Sequence, residues 1–258
     1  MSRYLLAAPD PAATVRLLCL HPAGSTARPF MTWRDRLGPG VDVLPIQLPG
    51  REARVNEPRI RDLAVLLEQL DGELGALLDE PYAFYGHSMG AMIAYSWARM
   101  RFETGRSRPL MVNVGACQPP GVPGTDRRTP GFFDRPDDEL ERMLVGIGGM
   151  SAALMSYPQW RDAAIALLRD DLALCEPRDL YGVGSETDPV DCPINIFTGA
   201  GDPIVTPEQM ARWHRLTRAG GVVRELPGGH FFHQESRPLL LSYLRNLLAA
   251  ASGRVAVV

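Results

Sequence analysis

A chain of 258 residues, 45% hydrophobic and 22% charged, has ordinary globular composition and the length of one sizeable α/β domain, which argues against disorder and fibrous repeats. The formal net charge of −3, with no run of Lys and Arg, gives no electrostatic footprint for nucleic acid or for an anionic membrane. Cys19, Cys117, Cys175 and Cys192 show neither CxxC pairing nor the density of a disulfide-stapled fold, so buried thiols are expected.

The chain opens on MSRYLLAAPDPAATVR, whose apolar run Tyr4 to Ala8 is too short for a signal-peptide core or a membrane span; a cytoplasmic protein without membrane contact is expected. Six short apolar runs then follow: VRLLCL at 15–20, VDVLPI at 41–46, YAFYG at 82–86, MVNVGA at 111–116, INIFTG at 194–199 and VVREL at 222–226. Such continuous apolarity suits strands buried on both faces of a parallel sheet. Between the second and third runs, Leu63, Leu66, Leu67, Leu70, Leu74, Leu77 and Leu78 recur at three- and four-residue spacing and predict a helix that covers the sheet. Helical patterns also follow the third run (from Ala91 to Met100), the fifth (TPEQMARWHRL) and the sixth (LLLSYLRNLLAA), the alternation of a doubly wound α/β fold. In TPEQ, Thr206 and Gln209 fit a capping box and Pro207 the first helical position. Residues 117–193 are far more than a crossover helix needs; a Pro/Gly-rich stretch and the helical patterns DDELERML and WRDAAIALLRDDLAL predict a helical lid inserted at about 120–190 in a single domain spanning 1–258. An elaborated crossover without a gating role is the alternative.

Chemistry enters at Gly86-His87-Ser88-Met89-Gly90, a G-x-S-x-G directly after one predicted strand and before a helical run. A sharp strand-to-helix turn exposes the serine hydroxyl, and small flanking residues let the backbone bend. Ser88 is therefore the candidate nucleophile of an α/β-hydrolase fold, a mostly parallel doubly wound sheet with an inserted helical lid. Enzymes of this kind place an acid and then a histidine after later strands. Asp202, in INIFTGAGDPIV, follows the fifth run, whereas Asp188 and Asp191 precede it and belong at the other end of the sheet. His230, in ELPGGHFF, follows the sixth; the glycines before it favour it over His233, which falls at a helix entrance. His214, on the helix after Asp202, is expected to be packed or solvated, and His87, which precedes the nucleophile, to point elsewhere. The oxyanion donors expected are the backbone N–H of Met89 and, from the loop His21-Pro22-Ala23-Gly24-Ser25, that of Ala23, since Pro22 has no N–H to give. No trio of His and carboxylates has ligand spacing, so no metal and no cofactor are expected.

LLCLHPAGSTARPFMTW, QLPGRE, YGHSMGAMIAY, LLRDDLALCE, CPINIFTGAGDPIV and LPGGHFF, over roughly residues 15 to 245, resemble in order the blocks of the type II thioesterases that accompany polyketide synthases and nonribosomal peptide synthetases. Leu20 and His21 stand where that family usually has Phe-Pro, and Ser25 where it has a second glycine. The resemblance implies removal of acyl groups from the phosphopantetheine thiol of acyl or peptidyl carrier protein domains, with Ser88, Asp202 and His230 as triad and Ala23 and Met89 as oxyanion donors. It further implies a free-standing editing enzyme, expected to be a monomer. A carboxylesterase or lipase with the same triad is the alternative, although the HGGG-type loop of many such enzymes is replaced by HPAGS. A binding protein on an inactive hydrolase scaffold is disfavoured by the complete set of Ser, Asp and His.

Overall fold

A computed structural model of the protein describes residues 2–121, 135–175 and 188–255. The apolar runs form six strands, β1 (Val15–Leu20), β2 (Val41–Ile46), β3 (Tyr82–His87), β4 (Val112–Gly115), β5 (Ile194–Gly199) and β6 (Val223–Leu226), in one sheet of order β2-β1-β3-β4-β5-β6. All neighbouring strands are parallel. Because alternate strand residues face opposite sides, Leu18 and Leu20 of β1 join one apolar cluster and Val15, Leu17 and Cys19 the other. Helices α1 (Leu63–Leu74) and α2 (Met89–Glu103) cover the first face, and the C-terminal helix (Arg237–Val255) the second. Among the described residues no helix is long and apolar enough to cross a membrane.

Several details depart from expectation. The leucine-rich helix ends at Leu74, and a 3-10 turn, Gly75–Asp79, carries Leu78 into the core; Gly72 and Gly75 both weaken the α-helix there. β6 is not buried on both faces: Val223, Arg224 and Glu225 are exposed, as befits the last strand of the sheet. At the opposite edge, Tyr4 and Leu5 are buried. Leu5 bridges Ile46 in antiparallel sense and Gln47 N–H donates to the Tyr4 carbonyl at 2.8 Å, so the short N-terminal apolar run covers the open side of β2. The capping box forms as expected at α6 (Pro207–Ala211), with Thr206 Oγ accepting from Gln209 N–H and Gln209 Oε1 from Thr206 N–H.

Of the long interval, residues 122–134 and 176–187 lie outside the described residues. The remainder forms α3 (Asp137–Gly146), α4 (Ala152–Met155) and α5 (Pro158–Ala173), which share a small core of Leu140, Leu144, Met155, Ile165 and Leu168. Ala23, from the loop after β1, packs against that core as well as the main one, so these helices sit on the carboxyl end of the sheet.

Strand order also places the site. The chain lays β2 on one side of β1 and β3 on the other, so the winding reverses between β1 and β3. Ligands of open α/β sheets bind beyond the carboxyl ends of strands at such a reversal. Leu20 lies opposite Gly86 across that pair, which sets the loop beginning at His21 beside the turn at Ser88.

Candidate active site

The turn between β3 and α2 is built by close backbone approach. A Cβ on Gly86 would lie 2.1 Å from the carbonyl oxygen of Gly90, and one on Gly90 would lie 2.1 Å from that of Leu20. Neither position admits a side chain. Ser88 itself sits at φ 53 and ψ −121, a conformation that costs a non-glycine residue on the order of 1–3 kcal/mol and lifts its side chain above the sheet. Its N–H is held by the Gly115 carbonyl at 2.8 Å, which fixes the turn to β4.

Two glycine-rich loops bring the acid and the histidine together. Ala200 N–H donates to the Leu226 carbonyl and Gly201 N–H to that of Gly228, each at 2.9 Å, joining the turn after β5 to the turn after β6. A Cβ on Gly199 would meet the Gly229 carbonyl oxygen at 2.4 Å, and Gly228 adopts φ 114. Asp202 and His230 are thereby set face to face: His230 Nδ1 lies 2.9 Å from Asp202 Oδ2 and 3.1 Å from Oδ1, while its Nε2 lies 3.1 Å from Ser88 Oγ. The carboxylate, 1% exposed, also accepts the Ile204 N–H at 2.8 Å, so it is both buried and held. A carboxylate beside Nδ1 keeps the proton there and leaves Nε2 to accept from the serine.

Asp188 and Asp191 lie at the start of β5, as expected. Asp188 pairs with Arg99 and Arg218 and Asp191 with Arg108, away from Ser88. His233 does not reach the serine; it is buried against His87, the ring centroids 3.8 Å apart. Burial, then the neighbouring His230, lowers its pKa to about 3, so it stays neutral.

The structure adds a residue that sequence spacing does not mark. His87 points away from Ser88 but reaches the other partner from behind: its Nε2–H donates to the His230 carbonyl at 2.7 Å, and its Nδ1, opposite the Tyr85 hydroxyl at 3.1 Å, accepts from it. Burial holds its pKa well below the ordinary histidine value, which keeps one nitrogen free to accept. Gly115 leaves room for the ring, since a Cβ there would lie 2.9 Å from Nδ1. A histidine beside the nucleophile and a tyrosine two residues earlier on β3 were the available signal.

Met89 opens α2, where the first N–H groups have no partner within the helix. Across from it, the loop after β1 turns sharply: Ser25 N–H donates to the Pro22 carbonyl at 3.2 Å with Gly24 at φ 69. Gly24 N–H is taken by Asp171 Oδ2 at 2.8 Å, and neither bond uses the N–H of Ala23. Ser25 in place of a glycine therefore leaves the turn intact, because the positive φ falls on Gly24. The inserted helices close over this side, with Leu168 Cδ1 3.6 Å from where a Cβ on Gly24 would be, and a cavity of about 770 Å³ lies beside the loop, lined among others by Gly24, Arg51, Leu154 and Trp160.

Among the described residues, no group of three or more His, Cys, Asp and Glu side chains is placed to hold a metal ion. Ser88, His230 and Asp202 thus form a hydrogen-bonded series of hydroxyl, imidazole and carboxylate, the equipment of an acyl-transfer catalyst.

The Thioesterase domain family model matches residues 15–247. The gramicidin S biosynthesis protein GrsT of Aneurinibacillus migulanus is 29% identical over 233 residues, 90% of this chain and 88% of that protein. RedJ, a thioesterase from the prodiginine biosynthetic pathway in Streptomyces coelicolor, superposes with a TM-score of 0.81 at 35% identity, over 93% of this chain and 90% of that one. BorB, the type II thioesterase from the borrelidin biosynthetic cluster, superposes with a TM-score of 0.76 at 30% identity, over 93% and 94% of the two chains.

Proposed function

The chain belongs to the thioesterase domain family, and from that premise we propose that it is a type II thioesterase that hydrolyses acyl thioesters from the phosphopantetheine arm of carrier proteins in polyketide or nonribosomal peptide biosynthesis. The observation that carries the catalytic half is the relay Asp202–His230–Ser88, with His230 Nε2 3.1 Å from the hydroxyl of a serine held at φ 53. Support for the substrate half comes from RedJ and BorB, similar along nearly the whole chain.

Chemistry follows from the geometry. His230 Nε2 takes the Ser88 proton as Oγ attacks the thioester carbonyl carbon, and Asp202 stabilises the imidazolium that results. The N–H groups of Met89 and Ala23 hold the oxyanion. Collapse breaks the C–S bond; the thiolate leaves with the proton from His230, and the acyl group stays on Ser88. A water, deprotonated by His230, then attacks the acyl-enzyme, and collapse of the second oxyanion returns the proton to Oγ and frees a carboxylic acid. A thioester has less resonance stabilisation than an oxygen ester, and its thiolate leaves readily, so this machinery suffices without a metal or cofactor.

On this reading the enzyme works in the cytoplasm, as a monomer, and clears misprimed or stalled units from a biosynthetic line. Helices α3 to α5 act as a lid that admits acyl chains of varied length. Selectivity among chains is modest, since one methylene in an apolar pocket discriminates by only about 1–3 kcal/mol. Mass spectrometry of a panel of acyl-loaded carrier proteins, before and after incubation, tests the proposal. Unloading of several short acyl groups by the protein, and none by Ser88→Ala, is expected; loaded carriers left untouched by an enzyme that cleaves oxygen esters would refute it.

A further inference from the structure

The Ala23 amide is aimed by its own peptide plane. The Pro22 carbonyl is trapped by the Ser25 N–H at 3.2 Å and by His21 Nδ1–H at 2.9 Å, and a planar trans peptide turns the Ala23 N–H the opposite way. What holds Ser25 and Gly24 in place comes from far along the chain. Asp171, in the last turn of α5, accepts from Arg51 through both oxygens, Oδ1 to Nη2 at 2.6 Å and Oδ2 to Nη1 at 2.7 Å, and Oδ2 also accepts the Gly24 N–H at 2.8 Å. Arg51 Nη1 donates in turn to the Ser25 carbonyl at 3.0 Å, and its Nε to that of Pro49 at 3.2 Å. Both charged side chains are almost fully buried, 4% and 2% exposed.

Stability alone does not account for this pair. A buried ion pair offers little over apolar groups of the same volume, and a carboxylate in the last turn of a helix is opposed by the helix dipole. We infer that Arg51 and Asp171 are positioning residues of the reaction: their ion pair fixes the loop that presents the Ala23 N–H to the oxyanion, and it makes that donor's position depend on where the lid helix α5 sits. With α5 seated, Asp171 grips Gly24 and orients Arg51 onto Ser25. With α5 displaced, both grips go together and the hole loses its second donor. The enzyme therefore assembles its full oxyanion hole only beneath a seated lid. This inference rests on the proposed role of Ala23 in a Ser88-dependent hydrolase.

The test is the double variant Arg51→Met/Asp171→Leu, which keeps apolar volume in place and leaves no unpaired charge. Its kcat should fall roughly tenfold to a hundredfold, short of losing a donor outright, with KM within about threefold of the parent. Affinity for an acyl trifluoromethyl ketone, whose adduct with Ser88 places an oxyanion in the hole, should fall by the same factor as kcat/KM. A purely structural pair would instead lower the melting temperature and leave both constants per folded molecule unchanged, which would overturn the inference. Should the double variant not fold, Asp171→Asn replaces it, with active molecules counted by fluorophosphonate titration. Loss of at least about fivefold in kcat per titrated site supports the role, and an unchanged kcat refutes it. Ser88→Ala is assayed alongside: its activity would overturn the hydrolase reading and this inference with it, whereas an inactive Ser88→Ala beside a fully active double variant overturns the positioning role alone.

Discussion

The two halves of the site are held in different ways. The half carrying Ser88, Asp202 and His230 is positioned by backbone: carbonyls of Gly90, Leu20 and Gly229 press on glycines that leave no room for a side chain, and the two loops join through main-chain hydrogen bonds. The half carrying Ala23 is positioned by side chains, with Arg51 and Asp171, 120 residues apart in the chain, paired with each other and bonded to Ser25 and Gly24. Backbone anchoring is rigid, since strand register does not slip without moving the whole core. Side-chain anchoring can be released by moving one helix. On the proposed reading, a nucleophile fixed by backbone sits beside an oxyanion donor that answers to the lid.

Breaking the backbone-held half should have the largest effects. Ser88→Ala and His230→Ala are each expected to lose at least roughly a thousandfold in kcat/KM, and Asp202→Asn somewhat less, as cooperating triad members do. His233→Ala should keep most of its activity per folded molecule, since that ring packs on His87 and does not face Ser88. The reverse pattern in steady-state assays of the two histidine variants would show the base to be misassigned.

Glycine substitutions sharpen the contrast. Gly86→Ala forces a Cβ to within 2.1 Å of a backbone oxygen that has nowhere to go, so a stability loss of at least about 3 kcal/mol is expected in urea unfolding. Gly24→Ala meets only Leu168, its Cδ1 at 3.6 Å and its Cβ at 3.8 Å, and strains a φ of +69. It should lower stability by about 1 kcal/mol while lowering kcat, because the strain falls on the turn that aims Ala23. Equal stability losses in the two variants would contradict the distinction.

The same division explains what could be read from sequence. The six strands, the nucleophile turn, Asp202, His230 and the capping box at Thr206 were legible because each is written in a few adjacent residues: an apolar run, a glycine pair, a spacing of three. Arg51 and Asp171 were visible only as parts of QLPGRE and LLRDDLALCE, and nothing local says that they meet. His87 lay inside the strongest motif, yet its role depends on a carbonyl 143 residues further along the chain. The burial of Tyr4 and Leu5 depends on which strand lies at the edge, a property of the sheet's order and not of the run itself.

Each half also contains a buried histidine, and these make stability depend on pH. His21 beside the oxyanion loop and His233 beside the triad each have a pKa lowered from 6.5 to about 3, chiefly by burial; Arg51 lowers the first further and His230 the second. Between those values the unfolded chain binds protons that the folded one does not. Stability is therefore fully present above about pH 6.5 and is lost as pH falls, by up to about 1.4 kcal/mol per pH unit for each histidine. Urea unfolding between pH 7 and pH 4 should show this slope, to which His87, also held low by burial, adds in the same direction, and His21→Gln, which removes one of the three groups, should make it shallower. A slope unchanged in that variant would mean that His21 is not buried neutral.

Hydrogen exchange gives the smallest and most local contrast. Amides of α3 and α4, packed on the small core of Leu140, Leu144 and Met155, should open more readily than those of β1 and β3 in the centre of the sheet. Protection equal to that of the strands, with acyl substrate bound or absent, would remove the gating role from the lid.

Whether Ser88 serves a thioesterase acting on carrier-bound acyl groups is decided by kcat/KM for one acyl group presented in three ways. The group is attached as a thioester to carrier protein, as a thioester to free pantetheine, and as an oxygen ester of matched size. Hydrolysis of both thioesters is expected, the carrier-bound one fastest, with the oxygen ester slowest and all three rates abolished in Ser88→Ala. Equal rates on carrier and free pantetheine would remove carrier recognition, and activity confined to the oxygen ester would contradict the thioesterase assignment itself.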